Sequence, residues 1–311
     1  MNLQQLEYIV AVDKQRHFAK AAESKYVTQP TLSMMIHKLE DELGLKLFDR
    51  TKQPVEPTKE GAEIINRARQ ILHEVERMRE YAAEVKGETS GEIRFGVIPT
   101  LAPYLLPLFL KAFTNKFPLV KLYISEMITE QIISGLQTGD LDIGLLATPL
   151  HHDALTEHPL FYEEFFVYAT HNENLPKKKY LLPADINPAH LWLLQEGHCL
   201  RNQVFNLCEL KEKDSGNENL FYEAGSIETL INMVDKHQGI TIVPKLATLG
   251  LSAKQKKNIR EFSKPKPARE ISLVVNKNFP RKQLLENLKK EILANLPGDM
   301  IMKAKQVVEI G

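Results

Sequence analysis

Apolar residues in the first 58 positions recur at helical spacing and predict three short helices. The third has its apolar positions three or four residues apart, at Leu32, Ile36, Leu39 and Leu43. Thr28 is a suitable N-cap for it, and Pro30 falls in the first turn, where a missing N–H costs little. Gly44 suits its end. Alternating apolar positions at 45–48, a turn at 52–54 and a return strand from Val55 then predict a small two-stranded wing.

A single long helix is predicted from the capping residue Thr58 to about Lys86, just before Gly87. At about 1.5 Å per residue it spans about 40 Å. Its apolar positions form one narrow seam, at Ile65, Ala68, Leu72, Val75, Ala82 and Val85. A long helix with such a seam usually pairs with a copy of itself, so the pattern predicts a homodimer. Packing against its own chain is the less favoured alternative, because the helix is far longer than the domain before it.

Beyond the break at 87–91 the pattern changes to alternating strands and helices. The predicted strands are Ile93–Val97, Leu122–Ser125, Leu141–Leu146, Phe165–Ala169, Trp192–Leu194, Leu220–Glu223, Ile240–Val243 and Ile271–Val275. The predicted helices are Pro103–Lys116, Thr129–Thr138, Leu200–Glu209, Ile227–His237 and Lys282–Asn295. This alternation favours mostly parallel α/β sheets.

The resulting fold class is α/β overall, preceded by an all-α winged helix-turn-helix and a long linker helix. The predicted domains are a DNA-binding domain at 1–58, a linker helix at 59–87 and a regulatory domain at 88–311. The regulatory domain is long for one sheet, so we expect two subdomains with a cleft between them. Subdomain I is expected at 88–163 plus 267–311, and subdomain II at 164–266.

Composition constrains the function only weakly. The chain is 43% hydrophobic, with 40 Lys+Arg and 40 Asp+Glu, and residues 1–58 alone carry eight basic and eight acidic residues. Bulk charge therefore does not support nucleic-acid binding, and the case rests on pattern. No apolar run is long enough for a membrane helix and the start lacks signal-peptide features, so a cytoplasmic protein is expected.

Enzyme signatures are missing from the sequence. It contains no phosphate loop, zincin helix, nucleophile elbow or dinucleotide fingerprint. The His151–Asp153 run and the lysines at 177–179 are interpreted as solvated loops. We therefore predict a protein that is not an enzyme and needs no metal or other cofactor.

The segment Val27–Thr51, VTQPTLSMMIHKLEDELGLKLFDRT, resembles the helix-turn-helix of LysR-type transcriptional regulators, and the match extends from Met1 through the linker helix. A recognition helix reads base edges from its N-terminal end. The resemblance implies that role for Gln29, Pro30, Thr31 and Ser33, with Arg50 and Lys52 on the wing placed to reach phosphates or a minor groove. It also implies two regulatory subdomains of periplasmic-binding-protein type.

The partners that the resemblance implies are an imperfect palindrome of double-stranded DNA, RNA polymerase, and further copies of the chain up to a tetramer. The sequence departs from the family pattern at two places in the recognition helix. Family members often carry Gly-Gln where this chain has Met34-Met35, and Arg where it has His37. The favoured base sequence is expected to differ accordingly.

The two cysteines lie nine positions apart, at Cys199 and Cys208. Two inert buried thiols would be the ordinary interpretation of so few cysteines. However, residues 196–203, EGHCLRNQ, closely resemble the loop of peroxide-sensing members of the LysR family. The resemblance implies that hydrogen peroxide is the signal, that Cys199 is the peroxidatic thiol and Cys208 the resolving one, and that they form a reversible disulfide controlling oxidative-stress genes.

The neighbours of Cys199 give a physical reason for this assignment. Arg201 and His198 are expected to lower the pKa of the thiol, as is the N-terminus of a helix beginning at Leu200. Gly197 is expected to let a small oxidant approach the backbone. The resemblance further implies that Thr100 and Thr129 position peroxide, whereas N-capping is their alternative role.

A disulfide between the two cysteines requires a change of structure. If 200–208 is helical, the two Cα atoms are roughly 13 Å apart, whereas a disulfide needs about 4.4–6.8 Å. Oxidation is thus expected to unwind this helix. Three alternatives remain open: a zinc site at His198, Cys199 and Cys208, a LysR-type regulator with a small organic effector in the cleft, and a thiol peroxidase.

Overall fold

The computed structural model describes residues 1–85, 90–170, 180–209, 224–298, 300 and 306–308. Two compact units, Met1–Glu88 and Thr89–Gly311, make up the chain. The predicted strand at Leu220–Glu223 and the lysines at 177–179 lie outside the described residues. Within the described ranges, no helix combines the length and the apolar character needed to cross a membrane.

The first unit is a winged helix-turn-helix followed by a long helix. Its elements are α1 (Leu3–Gln15), α2 (Phe18–Ser24), α3 (Gln29–Leu43), β1 (Phe48–Asp49), β2 (Glu56–Pro57) and α4 (Lys59–Val85). The predicted ends of α3 are confirmed, since Thr28 caps its start, Pro30 lies in its first turn and Gly44 ends it with φ 66°. Strands β1 and β2 pair antiparallel and form the predicted wing.

Part of the apolar seam of the long helix α4 packs against the chain's own first unit. Thr58 caps its start, because its hydroxyl accepts from the N–H of Gly61 at 2.8 Å. Ile65 and Ala68 are completely buried in the core of the first unit, and Leu72 packs against that core. The expectation that the entire seam pairs with a second copy is therefore wrong for its first half, which packs on the chain's own helices.

The second unit is a mixed α/β structure. Its strands are β3 (Gly91–Val97), β4 (Val120–Glu126), β5 (Ile143–Thr148), β6 (Leu155–Ala169), β7 (Tyr180–Leu181), β8 (Ile240–Pro244), β9 (Ile259–Phe262), β10 (Pro267–Asn276) and β11 (Gln306–Val307). Its α-helices are α5 (Ala102–Lys116), α6 (Thr129–Thr138), α7 (Cys199–Cys208), α8 (Ile227–His237), α9 (Ala253–Lys256) and α10 (Lys282–Ala294).

The sheet is less parallel than the sequence predicts. Strand β3 pairs parallel with β4 and β5, but the long strands β6 and β10 run antiparallel to each other. Strand β6 is also antiparallel to β8 and β9, and β10 is antiparallel to β5 and parallel to β11. The length of β6 lets it continue from one half of the unit into the other. The predicted strand at 192–194 is reduced to single bridges made by Leu191 and Leu194.

Two hydrophobic cores lie in this unit, and β6 contributes to both. One contains Leu160 and Phe161, and the other contains Phe165 and Val167. Val308 packs in the second core, although the sequence assigned 267–311 to the first subdomain. The two cores correspond to two lobes of the unit. The site described next lies where these lobes meet.

Candidate functional site

The two cysteines occupy opposite ends of helix α7, and both are free thiols. Nine residues of helical rise separate their Cα atoms by roughly 13 Å. A disulfide between them requires about 4.4–6.8 Å. The structure therefore represents the reduced form, and a bond between these thiols requires α7 to unwind.

Cys199 lies where the two lobes meet. It is buried and packs in the first core, whereas the following residues Leu200, Val204 and Leu207 pack in the second. Burial raises the pKa of the Cys199 thiol, and the positive charge of Arg269, the hydroxyl of Thr129 and the backbone N–H groups at the start of α7 oppose that rise. These groups offset part of the effect of burial, and they would be lost or moved if Cys199 left its place.

Arg269 is the cation that sequence reasoning missed. It is completely buried on β10, where its Nη2 lies 2.8 Å from Oε2 of Glu163 on β6. Its Nη1 donates to the hydroxyl of Thr100 at 2.9 Å. Glu163 is fixed in turn, because its Oε1 accepts from the N–H of Leu246 at 2.7 Å. The guanidinium is thus held on several sides. The one feature of the sequence that could have indicated this buried cation is an arginine placed just before the apolar run of a predicted strand.

The structure corrects the charges expected beside Cys199. Arg201 turns away from the thiol, since its Nη1 donates to the carbonyl of Leu194 at 2.9 Å and its guanidinium lies over the ring of Phe205. His198 is buried, and burial lowers its pKa, so it is neutral near pH 7. The role expected of Arg201 as the thiol's cation belongs to Arg269.

Thr100 and Thr129 are not helix caps. The N-cap positions of α5 and α6 are occupied by Leu101 and Ile128, neither of which makes a side-chain cap bond. Both threonines are buried, and the hydroxyl of Thr100 accepts from Arg269. The hydroxyl of Thr129 lowers the pKa of the Cys199 thiol, but no atom among the described residues meets the geometry of a hydrogen bond to it. The capping alternative is therefore wrong, and the two threonines join the group around the thiol.

The backbone conformation at Gly197 favours glycine over any other residue. Its φ is 88°, and a Cβ there would lie 3.0 Å from Cδ1 of Ile128. This turn precedes α7 and directs Cys199 into the first core. The expected close approach of an oxidant at Gly197 stays a prediction.

Cys208 lacks the polar surroundings of Cys199. It is partly buried against the second core, and burial raises its pKa to about 12. Between the cysteines, the side chain of Gln203 is fully buried and its Nε2 donates to the carbonyl of Val308 at 3.0 Å. Unwinding α7 breaks this bond and so disturbs the segment 306–308, which pairs with β10 beside Arg269.

The predicted DNA-contacting residues at the start of α3 lie at the surface. Gln29, Pro30 and Thr31 are exposed, and the hydroxyl of Thr31 lies 2.8 Å from that of Thr28. On the wing, Lys52 is exposed and pairs with Glu56 at 2.6 Å. These positions leave the N-terminal end of α3 accessible to a DNA groove.

Arg50 joins the wing to the recognition helix. Its Nη1 donates to the hydroxyl of Ser33 at 2.9 Å, and its guanidinium lies over the ring of Phe18. Sequence reasoning missed the buried carboxylate of Glu40, which accepts from the N–H of Leu47 at 2.8 Å and lies 3.5 Å from Nη2 of Arg50. Arg50 is thus held on both sides while about two-fifths of its side chain remains exposed.

Among the described residues, no group of three His, Cys, Asp or Glu side chains is arranged to hold a metal ion. His198, Cys199 and Cys208, the ligands of the zinc alternative, are not assembled into such a group. The charge of Arg269 and the hydroxyl of Thr129 instead oppose the rise that burial causes in the pKa of the Cys199 thiol.

The chain matches two family models that together account for most of its length. Residues 3–62 match the bacterial regulatory helix-turn-helix protein, lysR family, and residues 86–297 match the LysR substrate binding domain. The chain belongs to the LysR family of bacterial regulators.

Within that family, the similar proteins include several that are named OxyR. The chain is 37% identical over 309 residues to the DNA-binding transcriptional dual regulator OxyR of Escherichia coli, covering 99% of this chain and 100% of that protein. A full-length OxyR variant from Pseudomonas aeruginosa superposes with a TM-score of 0.78 at 32% identity, covering 95% of this chain and 99% of that one. A hydrogen-peroxide-bound cysteine variant of Corynebacterium glutamicum OxyR gives a TM-score of 0.61 at 26% identity, covering 94% and 92%.

Proposed function

We propose that the protein is a DNA-binding transcriptional regulator that senses hydrogen peroxide through reversible formation of a Cys199–Cys208 disulfide and controls oxidative-stress genes. One observation carries the proposal. Cys199 is buried within reach of the charge of Arg269, at the start of a helix whose other end is Cys208. The OxyR relatives support the signal, because one of them has hydrogen peroxide bound.

The proposed chemistry has two steps. The Cys199 thiolate attacks one oxygen of hydrogen peroxide, the O–O bond breaks, and the leaving hydroxide takes up a proton to become water. The product is a sulfenic acid at Cys199. The Cys208 thiol then attacks that sulfur, forming the disulfide and releasing a second water.

The residues around Cys199 have separate proposed roles in the first step. Arg269 favours the thiolate and donates hydrogen bonds to the oxygen that gains negative charge. Thr100 holds one edge of the guanidinium, and Thr129 donates toward the thiol or the peroxide. Gly197 and His198 shape the turn before α7, and Arg201 holds that turn to Leu194.

We expect Cys208→Ser to separate the two steps. The variant should still consume one equivalent of peroxide, because Cys199 and its surroundings are unchanged, but it should stop at the sulfenic acid or a mixed disulfide. Mass spectrometry after brief peroxide exposure, with a sulfenic-acid trapping reagent, distinguishes these products. Equal rates of reaction with peroxide at Cys199 in Cys208→Ser and at Cys208 in Cys199→Ser, or neither a sulfenic acid nor a mixed disulfide in Cys208→Ser, would contradict the proposed order. A regulator that answers a small organic effector would then be the better account.

The DNA-binding role gives a second prediction, for the wing and the recognition helix. Arg50→Ala should weaken binding to all DNA sequences and flatten the dependence of affinity on salt, because a phosphate contact is lost. Gln29→Ala should instead reduce discrimination between operators by about 1–3 kcal/mol. Binding isotherms at several salt concentrations measure both effects. Unchanged affinity and salt dependence in Arg50→Ala would remove the wing from the interface.

The oligomer is proposed from the second half of α4. Ile71, Met78 and Tyr81 are exposed there, whereas Ile65 and Ala68 are used within the chain. Pairing of this half would place two recognition helices on the half-sites of a palindrome, and further contacts would give the tetramer. Acting on DNA and RNA polymerase, such a protein would work in the cytoplasm.

A further inference from the structure

One face of helix α3 forms a shallow groove at the surface. Its lining residues recur once in each helical turn, singly or as adjacent pairs, at Pro30, Ser33, Met34, His37, Lys38 and Asp41. The opposite face, with Leu32, Ile36 and Leu39, is completely buried. The groove is thus the face that the recognition helix has available for DNA, and it includes positions beyond the polar residues at the start of the helix.

Met34 is the large apolar side chain in this groove. It is 63% exposed, whereas the neighbouring Met35 packs against the core of the first unit. A single exposed apolar residue needs no explanation in itself. Met34, however, follows Ser33 near the N-terminal end of the recognition helix, where side chains of such helices meet base edges.

The charges along the groove do not favour a contact with guanine at its centre. His37 is hydrogen-bonded to Asp41, with Nδ1 and Oδ2 2.8 Å apart. Arg50, the nearby cation on the wing, donates to Ser33. Lys38 is the remaining cation of the groove and lies one helical turn beyond Met34. The centre of the groove therefore offers an apolar surface rather than a charged hydrogen-bond donor.

In the major groove of DNA, the 5-methyl group of thymine is the apolar feature that a side chain can read. We infer that Met34 is a specificity-determining residue that contacts a thymine methyl in each half-site of the operator. This inference rests on the proposed DNA-binding function and adds to it the base that this helix selects. The thioether is unbranched and polarizable, so it can follow the methyl surface closely.

The test compares thymine with deoxyuridine, which differs only by lacking the 5-methyl group. An operator is first selected in vitro with the reduced full-length protein, and each thymine is then replaced singly by deoxyuridine. At one position in each half-site, the replacement should weaken wild-type binding about fourfold, the value of one buried methyl group. Methylation of cytosine at other positions should have no comparable effect.

Variants of Met34 assign this effect to its side chain. Met34→Gln, of similar length but polar, should bind thymine and deoxyuridine operators equally, whereas Met34→Leu should retain the difference. Met35→Leu is the matched control on the buried side and should behave as the wild type. Because Met34 is exposed, the two substitutions at this position leave the domain core intact.

The outcomes are separable. Failure to select any DNA sequence would contradict the proposed function itself. Selection of an operator without a deoxyuridine-sensitive position would overturn the inference about Met34 while leaving the function standing. A sensitive position that Met34→Gln does not abolish would also overturn it, because another residue would then read the methyl group.

Discussion

Replacing Cys199 by serine is expected to abolish the response to hydrogen peroxide. No disulfide should form, and the DNA footprint of the variant should be the same with and without peroxide. The reason is chemical, because a serine hydroxyl does not ionise near neutral pH and is not oxidised by peroxide to an analogue of the sulfenic acid. The measurement is peroxide consumption together with footprinting on one operator.

The control for this variant is its stability. Cys199 is 4% exposed, so a buried hydroxyl in its place costs on the order of 1–3 kcal/mol unless it finds a hydrogen-bond partner. Denaturant unfolding of the reduced proteins separates that cost from the lost chemistry. Unfolded protein would also lose basal DNA binding, whereas we expect the serine variant to retain it. A normal peroxide response in Cys199→Ser would contradict the assignment of the peroxidatic thiol.

Replacing Arg269 by glutamine is expected to slow sulfenic-acid formation about 100-fold, the usual effect of losing one well-placed donor to a developing negative charge. Burial already raises the pKa of Cys199, and Arg269 opposes that rise. Without the guanidinium the pKa should rise further. The rate of thiol alkylation should therefore need a higher pH to reach its plateau in the variant than in the wild type.

Arg269 forms a buried ion pair with Glu163, so Arg269→Gln also affects stability. A matched variant is needed to separate the two effects. Removing one partner of a buried pair costs about 3–5 kcal/mol, because the other charge is left uncompensated. The double variant Glu163→Gln/Arg269→Gln removes both charges and should recover much of that stability without recovering the reaction rate. Arg269→Lys keeps the charge but loses the forked geometry, and it should give an intermediate rate. Wild-type rates and an unmoved pH profile in Arg269→Gln would contradict its role.

The local elements were predictable because their signals are local. The start and end of α3 follow from Thr28, Pro30 and Gly44, and the bounds of α6 and α8 agree with their apolar spacing. Such features depend on residues a few positions apart. The pairing of strands depends on residues far apart in the chain. The prediction of a mostly parallel sheet, made from the alternation of strands and helices, was wrong because that alternation does not fix which strands become neighbours.

The site was only partly predictable for the same reason. Cys199 and Cys208 are marked by their sequence neighbours, but the cation acting on the thiol comes from β10, 70 positions away. Arg201 was chosen because it is near in sequence, and its guanidinium instead binds the carbonyl of Leu194. The first half of the α4 seam was misassigned because a seam does not reveal whether its partner is another helix of the chain or a second copy.

The most direct test of the central claim is a footprint of one operator by the reduced protein and by the same sample after one equivalent of peroxide. The account predicts that the protected bases change when mass spectrometry shows the Cys199–Cys208 disulfide, and that a thiol reductant restores the original pattern. Identical footprints from fully reduced and fully disulfide-bonded protein would contradict it.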